Sequence, residues 1–92
     1  MNLWYTYILY SLSRDRYYIG HTDDIEDRLK RHNDGWGRFT KSGIPWNLVY
    51  FETFQTKSEA IKREYEIKKM KSRKYIERLI LNAGGRPDLD QT

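Results

Sequence analysis

The chain has 92 residues, 17 of them lysine or arginine and 13 aspartate or glutamate, for a formal net charge of +4, and it has no cysteine. That length suits one small domain with a modest core, and the missing thiols exclude a disulfide framework, a thiolate metal site and a cysteine nucleophile. The longest apolar-looking run, Leu3 to Leu12, is interrupted by Thr6 and Ser11 and lacks a basic leader. It is too short for a membrane span and unlike a signal peptide, so the expectation is a soluble cytoplasmic protein with no membrane partner.

Trp4 to Ser11 is rich in aromatic and branched residues on both alternating faces, which predicts a strand covered on both sides. Leu12 to Arg16 is a polar connection, and Tyr17 to Thr22 a second strand close enough in sequence to form an antiparallel hairpin. If the loop holds an even number of residues, Tyr7 and Tyr18 share a sheet face, because side-chain direction has a period of two. Asp23 with Glu26 three residues on reads as a capping-box variant. A helix then carries Ile25, Leu29 and His32 as far as Asn33, and Asn33-Asp34-Gly35 stops it. Trp36 to Trp46 mixes glycine, lysine and aromatics without periodicity, and Pro45 argues against a central strand there, so a loop is expected.

Leu48 to Phe54 alternates again and predicts the third strand. Thr56-Lys57-Ser58-Glu59 is a capping box launching a helix whose apolar positions are read as Ala60, Ile61, Tyr65, Ile67 and Met70. Ser72 caps a further helix with Ile76, Leu79 and Ile80, ended by Asn82-Ala83-Gly84-Gly85. The residues from 84 to 92 read as a polar tail. The predicted fold is α+β, a three-stranded antiparallel sheet flanked by helices in the order β-β-α-β-α-α.

Charge is distributed unevenly. Residues 1–56 hold seven basic and seven acidic side chains, whereas residues 57–80 hold nine basic and four acidic. Such a basic segment, with Lys68, Lys69, Lys71 and Arg73 in it and Lys41 in the earlier loop, suits a phosphate backbone; a solvated helix face is the plainer alternative. Two histidines eleven residues apart fit no compact zinc motif, and no serine stands in a nucleophile elbow. Phenols, imidazoles, guanidinium and one carboxylate on a basic helix remain, and these suffice for phosphodiester hydrolysis. A carboxylate can anchor one Mg²⁺ that keeps its waters, an arginine can clamp phosphate oxygens, and a phenol or imidazole can relay a proton.

In order and spacing these residues resemble the GIY-YIG nuclease superfamily, and more closely its small single-domain bacterial members. Tyr18-Ile19-Gly20 is the literal second triplet, and Tyr5-Thr6-Tyr7 a degenerate first triplet that keeps its tyrosine at Tyr7. Arg28 stands ten residues after Tyr18, with His32 one turn later, His21 follows the glycine, and Ala60-x-x-x-Glu64 matches the glutamate position. His32-Asn33-Asp34-Gly35, Trp46 to Glu52, and Arg63-Glu64 with Ile67-Lys68 resemble further signatures of the single-domain subgroup.

The resemblance covers about residues 3 to 81 and implies a nuclease domain over residues 1–83. It implies Glu64 as ligand of Mg²⁺ or Mn²⁺, Tyr7 and Tyr18 positioning or deprotonating water, and Arg28 stabilising the phosphate. His32 and His21 would assist proton transfer, and the products would carry 5′-phosphate and 3′-hydroxyl. The expected partner is nucleic acid, DNA before RNA, with a separate protein as a source of specificity. The plainer readings are sheet packing for the tyrosines, an Asp24–Arg28 pair, and a Glu64–Lys68 pair at i, i+4. The competing function is a nucleic-acid-binding module with little or no cleavage.

Overall fold

The computed structural model describes residues 2–84; the proposed tail lies, from residue 85 onward, outside the described residues. Strand β1 (Trp4–Ser11) is the middle of a three-stranded sheet, with β2 (Arg16–Thr22) on one side and β3 (Trp46–Phe54) on the other. Both pairings are antiparallel. Helices α1 (Ile25–Asn33), α2 (Lys57–Met70) and α3 (Arg73–Asn82) complete the order β-β-α-β-α-α, as the sequence predicts.

The β1–β2 loop holds four residues, 12–15, and Asp15 within it takes a positive φ of 54°. The resulting register sets Tyr7 opposite Gly20 and Leu9 opposite Tyr18, so Tyr7 and Tyr18 do project from one face. β1 is covered on both sides. Ile8 and Ile19 point toward α2 and α3, where they meet Ile67, Ile76 and Ile80. Tyr7 and Leu9 point the other way, toward Trp46, Tyr18 and the α1 residues Ile25 and Leu29. β3 slips register against β1 between Ile8 and Leu9, with Ile8 opposite Tyr50 and Leu9 opposite Leu48; such a bulge bends a strand and lets it change the aim of its side chains.

Three details depart from the sequence reading. The α1 cap is Asp24, whose carboxylate accepts from Asp27 N–H at 3.0 Å. Asp23 is displaced from that role because the Thr22 hydroxyl takes the Asp24 N–H at 3.1 Å and turns the chain one residue later. β3 begins at Trp46, two residues early, because the Asn33 side chain clasps that residue from both sides: Oδ1 accepts Trp46 N–H at 2.6 Å and Nδ2 donates to Trp46 C=O at 3.1 Å.

The third departure decides what α2 can do. Ala60 and Ile67 are buried, but Ile61, Tyr65 and Met70 are exposed. The inward stripe is Ala60, Arg63, Glu64 and Ile67, an i, i+3, i+4, i+7 set that includes two charges. Each inward charge is satisfied: Arg63 grips Glu52 with Nε at 2.9 Å and Nη2 at 3.0 Å from its two oxygens. The Ala60 carbonyl accepts the buried Thr6 hydroxyl at 2.7 Å, which docks the first turn of α2 on β1. Apolar count alone selects the wrong face of this helix; ion pairing explains the right one. The caps of α2 and α3, Thr56 with Glu59 and Ser72, form as expected.

Candidate active site

The centre of the site is a buried phenol. Tyr7 is 2% exposed on the central strand, and its hydroxyl lies 3.0 Å from Nε2 of His32, itself buried at the end of α1. Gly20 makes room for this ring. A Cβ there would stand 2.6 Å from the Tyr7 Oη and 2.8 Å from its Cζ, so the middle strand's tyrosine can lie across β2 only where β2 has no side chain. Tyr18, half-buried, presents its ring edge to His32 with centroids 4.8 Å apart and tilts against Tyr7 at 6.3 Å.

His32 is held from its other side by Thr40, whose Oγ1 lies 3.0 Å from Nδ1. Thr40 is 2% exposed, and its carbonyl accepts the Trp46 indole N–H at 2.7 Å. The 36–45 segment is therefore an anchored loop with a 3-10 turn at Lys41–Gly43. Thr40 escapes sequence reading because it sits in a stretch without periodicity; its only signal is a threonine eight residues after a helix-borne histidine.

Electrostatics fix the protonation states of the pair. Burial, helped by the neighbouring Tyr18, pushes the Tyr7 phenol well above the ordinary phenol range, and the Arg28 guanidinium pulls it partly back. Burial also lowers His32, with Arg28 adding to the effect. Both shifts favour the uncharged forms, so near neutral pH the couple is a phenol hydrogen-bonded to a neutral imidazole.

Arg28 reaches from α1 around the open edge of β2, where its Nη1 donates to the His21 carbonyl at 3.4 Å. No Asp24–Arg28 ion pair appears among the described residues. The His21 side chain lies on the opposite sheet face from Tyr7, since it alternates with Gly20, and there its Nδ1 stands 2.6 Å from Oε1 of Glu64. Lys68, one turn along α2, takes Oε2 of the same carboxylate. The Glu64–Lys68 pair expected of an i, i+4 spacing thus forms, and Glu64 is held between two donors with its side chain 16% exposed.

The candidate residues therefore fall into two groups on either side of β2: Tyr7, Tyr18 and His32 toward α1, and His21 and Glu64 toward α2, with Arg28 spanning the edge. The proposed basic residues are more scattered. Lys68, Lys71 and Arg73 line one open groove with Arg16, Tyr17 and Ile67. Arg73 is engaged there by Asp15 and Glu77, and its guanidinium stacks 5.1 Å from the Tyr17 ring centre. Lys69 instead sits 6.0 Å above Tyr65 on the outer face of α2, and Lys41 belongs to the 3-10 turn.

No group of three or more His, Cys, Asp or Glu side chains with metal-binding geometry occurs among the described residues, so a cage supplied by the protein alone is absent from them. A single carboxylate such as Glu64, beside His21 and Lys68, still suits Mg²⁺, which commonly keeps several waters and shares a substrate phosphate. No helix of the described residues is long and apolar enough to cross a membrane.

Comparison with known proteins gives the family. Residues 3–76 match the family model described as the GIY-YIG catalytic domain. A UPF0213 protein of Bacillus licheniformis is 48% identical over 80 residues, covering 86% of this chain and 80% of its own. A UPF0213 protein of Staphylococcus saprophyticus is 52% identical over 60 residues, 64% of this chain and 73% of its own. The solution structure of a UPF0213 protein from Bacillus halodurans superposes with a TM-score of 0.58 at 36% identity, covering 94% of this chain and 90% of that one. The family match spans well over half of the chain, and the protein is accordingly a member of the GIY-YIG family.

Proposed function

We propose that the protein is a divalent-metal-dependent endonuclease acting on DNA in preference to RNA, with low sequence specificity or guided by substrate structure. The observation that carries this reading is the buried Tyr7–His32 hydrogen bond beside Tyr18 and Arg28. A phenol raised by burial does not ionise on its own near neutral pH, so Tyr7 acts as a proton carrier. It accepts a proton from the attacking water while its own passes to His32 Nε2, which is neutral and able to accept. Arg28 provides donors for the non-bridging phosphate oxygens, where negative charge gathers in the transition state. Tyr18 orients the water beside Tyr7.

Glu64 would hold Mg²⁺ or Mn²⁺, which supplies charge stabilisation to the phosphate and the departing oxygen. Its two oxygens are occupied by His21 and Lys68, both partly exposed, so Lys68 would have to leave Glu64 for a cation to be held there, and its exposed ammonium would then be free for a phosphate. His21 then remains as a nearby proton donor or acceptor. The groove lined by Lys68, Lys71 and Arg73 begins one turn along α2 from Glu64 and offers further phosphate contacts, while Lys69 and Lys41 add outlying positive charge. A separate protein is the expected source of specificity beyond this.

The test is cleavage of branched, nicked and single-stranded DNA, and of matched RNA, with Mg²⁺ or Mn²⁺. Cutting that is lost in Glu64→Ala and Tyr7→Phe supports the reading; an inert wild-type protein, or a Glu64→Ala variant as fast as wild type, overturns it. The capped state of Glu64 favours one second reading, a nucleic-acid-binding module with little cleavage. That reading expects salt-sensitive binding without turnover, weakened by neutralising Lys68 or Lys71.

A further inference from the structure

Among the described residues, the hydrogen bonds around His32 have one self-consistent arrangement. Tyr7 is buried, so its O–H needs an acceptor within the protein. Of the two groups at its hydroxyl, Arg28 offers donors only, which leaves Nε2 of His32 at 3.0 Å. Nε2 must then be the unprotonated nitrogen. In a neutral imidazole the proton therefore sits on Nδ1, facing Thr40 Oγ1 at 3.0 Å. Thr40 accepts that proton's hydrogen bond and passes its own hydroxyl hydrogen to the Gly37 carbonyl at 3.4 Å. The order of donation runs Tyr7, then His32 Nε2, and separately from Nδ1 through Thr40 to Gly37.

We infer that Thr40 is a positioning residue that locks His32 in the Nδ1–H tautomer, so that the Nε2 lone pair is aimed at the Tyr7 hydroxyl. The inference rests on the proposed role of Tyr7 as proton carrier and adds the group that gives the carrier its direction. The step balances: water loses a proton to the Tyr7 oxygen as its O–P bond forms, and the phenol's own proton forms a bond to Nε2. His32 becomes an imidazolium whose Nδ1–H stays on Thr40, and Thr40 itself neither gains nor loses a proton. The opposite tautomer would present N–H to the phenol and leave nowhere for its proton to go.

The surroundings make this lock rigid. Thr40 is tied by its carbonyl to the buried Trp46 indole, and the Lys41 N–H returns to the Gly37 carbonyl at 3.0 Å. A Cβ at Gly37 would collide with the Thr40 hydroxyl and come within 3.6 Å of His32 Nδ1. The glycine is therefore needed for the threonine to stand where it does.

The experiment is two-dimensional ¹⁵N–¹H correlation of the histidine ring nitrogens in the ¹⁵N-labelled wild-type protein, joined to kinetics of Thr40→Val and Thr40→Ser. For wild type the expected result is a protonated Nδ1 and a bare Nε2 at His32; a protonated Nε2 overturns the inference, and this readout needs no activity. Thr40→Val, which keeps the shape and removes the hydroxyl, should slow cleavage on the order of tenfold to a hundredfold. Its KM should not change, the acid limb of its pH profile should move, and its His32 should no longer favour Nδ1–H. Thr40→Ser should restore both tautomer and rate. A Thr40→Val variant with wild-type tautomer and rate overturns the inference, as does Thr40→Ser failing together with valine while its fold is intact. A wild-type protein that cuts nothing yet shows Nδ1–H would sink the nuclease reading and leave the tautomer lock standing.

Discussion

The two faces of the sheet are built on different physics. Toward α2 and α3, Ile8, Ile19, Ile67, Ile76 and Ile80 form an aliphatic core whose attraction has no direction and scales with area. Toward α1, residues of the same strands form an aromatic and polar cluster in which Tyr7, His32, Thr40, Trp46 and Asn33 are linked by hydrogen bonds of fixed donor sense. The first face tolerates changes of shape if volume is kept; the second depends on donors and acceptors standing within hydrogen-bond distance of one another. The aliphatic core thus lies on the α2–α3 side of β1 and the directional hydrogen-bonded cluster on the α1 side, while His21 and Glu64 stand on the α2 side beside the core.

The sharpest way to break this division is Tyr7→Phe. Removing the phenolic oxygen takes away the proton carrier while keeping the ring, and cleavage should fall by about 10² to 10⁴-fold with the thermal midpoint only modestly lowered; an unchanged initial rate would put the chemistry elsewhere. The mirror experiment is Ile80→Ala on the opposite face, expected to cost about 2–5 kcal/mol of unfolding free energy. Cleavage per folded molecule should be retained, as denaturant titration alongside kinetics will show.

Gly20→Ala crosses the boundary. Its Cβ would press on the Tyr7 Oη and Cζ, costing about 1–3 kcal/mol by overpacking and moving the phenol off His32. The variant should lose more activity than Ile80→Ala for less loss of stability. The smallest effect is with pH. His32 is held below its ordinary value of 6.5, so the unfolded chain binds a proton there more readily than the folded one. Stability from this residue is present above about pH 6.5 and declines as pH falls through it. Activity should fall on the same acid side, since an imidazolium cannot accept the Tyr7 proton. In His32→Gln, urea midpoints should vary less between pH 7 and 5 than in wild type; an equal slope would remove His32 from the account.

Much of this is legible in the amino-acid sequence. Alternation gave the strands, capping residues the helix starts at Thr56 and Ser72, and the tyrosine-to-arginine spacing a family resemblance. The even loop length that sets Tyr7 and Tyr18 on one face could be stated only as a condition, because register is a pairing property. The inward face of α2 was misread for a related reason: Ile61 and Tyr65 look like core, yet Arg63 and Glu64 are drawn inward by partners on β3 and β2 far away in sequence. Thr40 was invisible because its importance lies in a hydrogen bond closed by a loop, and no local pattern encodes that closure.

Arg28 has one further consequence. β2 is an edge strand, and edges with free carbonyls are templates for pairing with another chain. By reaching round to the His21 carbonyl, Arg28 covers part of that edge with a bulky cation, a guard against strand-to-strand aggregation. The residue proposed to clamp the phosphate therefore also helps to keep copies of the protein apart, and a variant without it is expected to lose solubility together with activity. Light scattering of Arg28→Ala against Arg28→Lys separates the two losses: lysine keeps the covering charge but not the planar clamp.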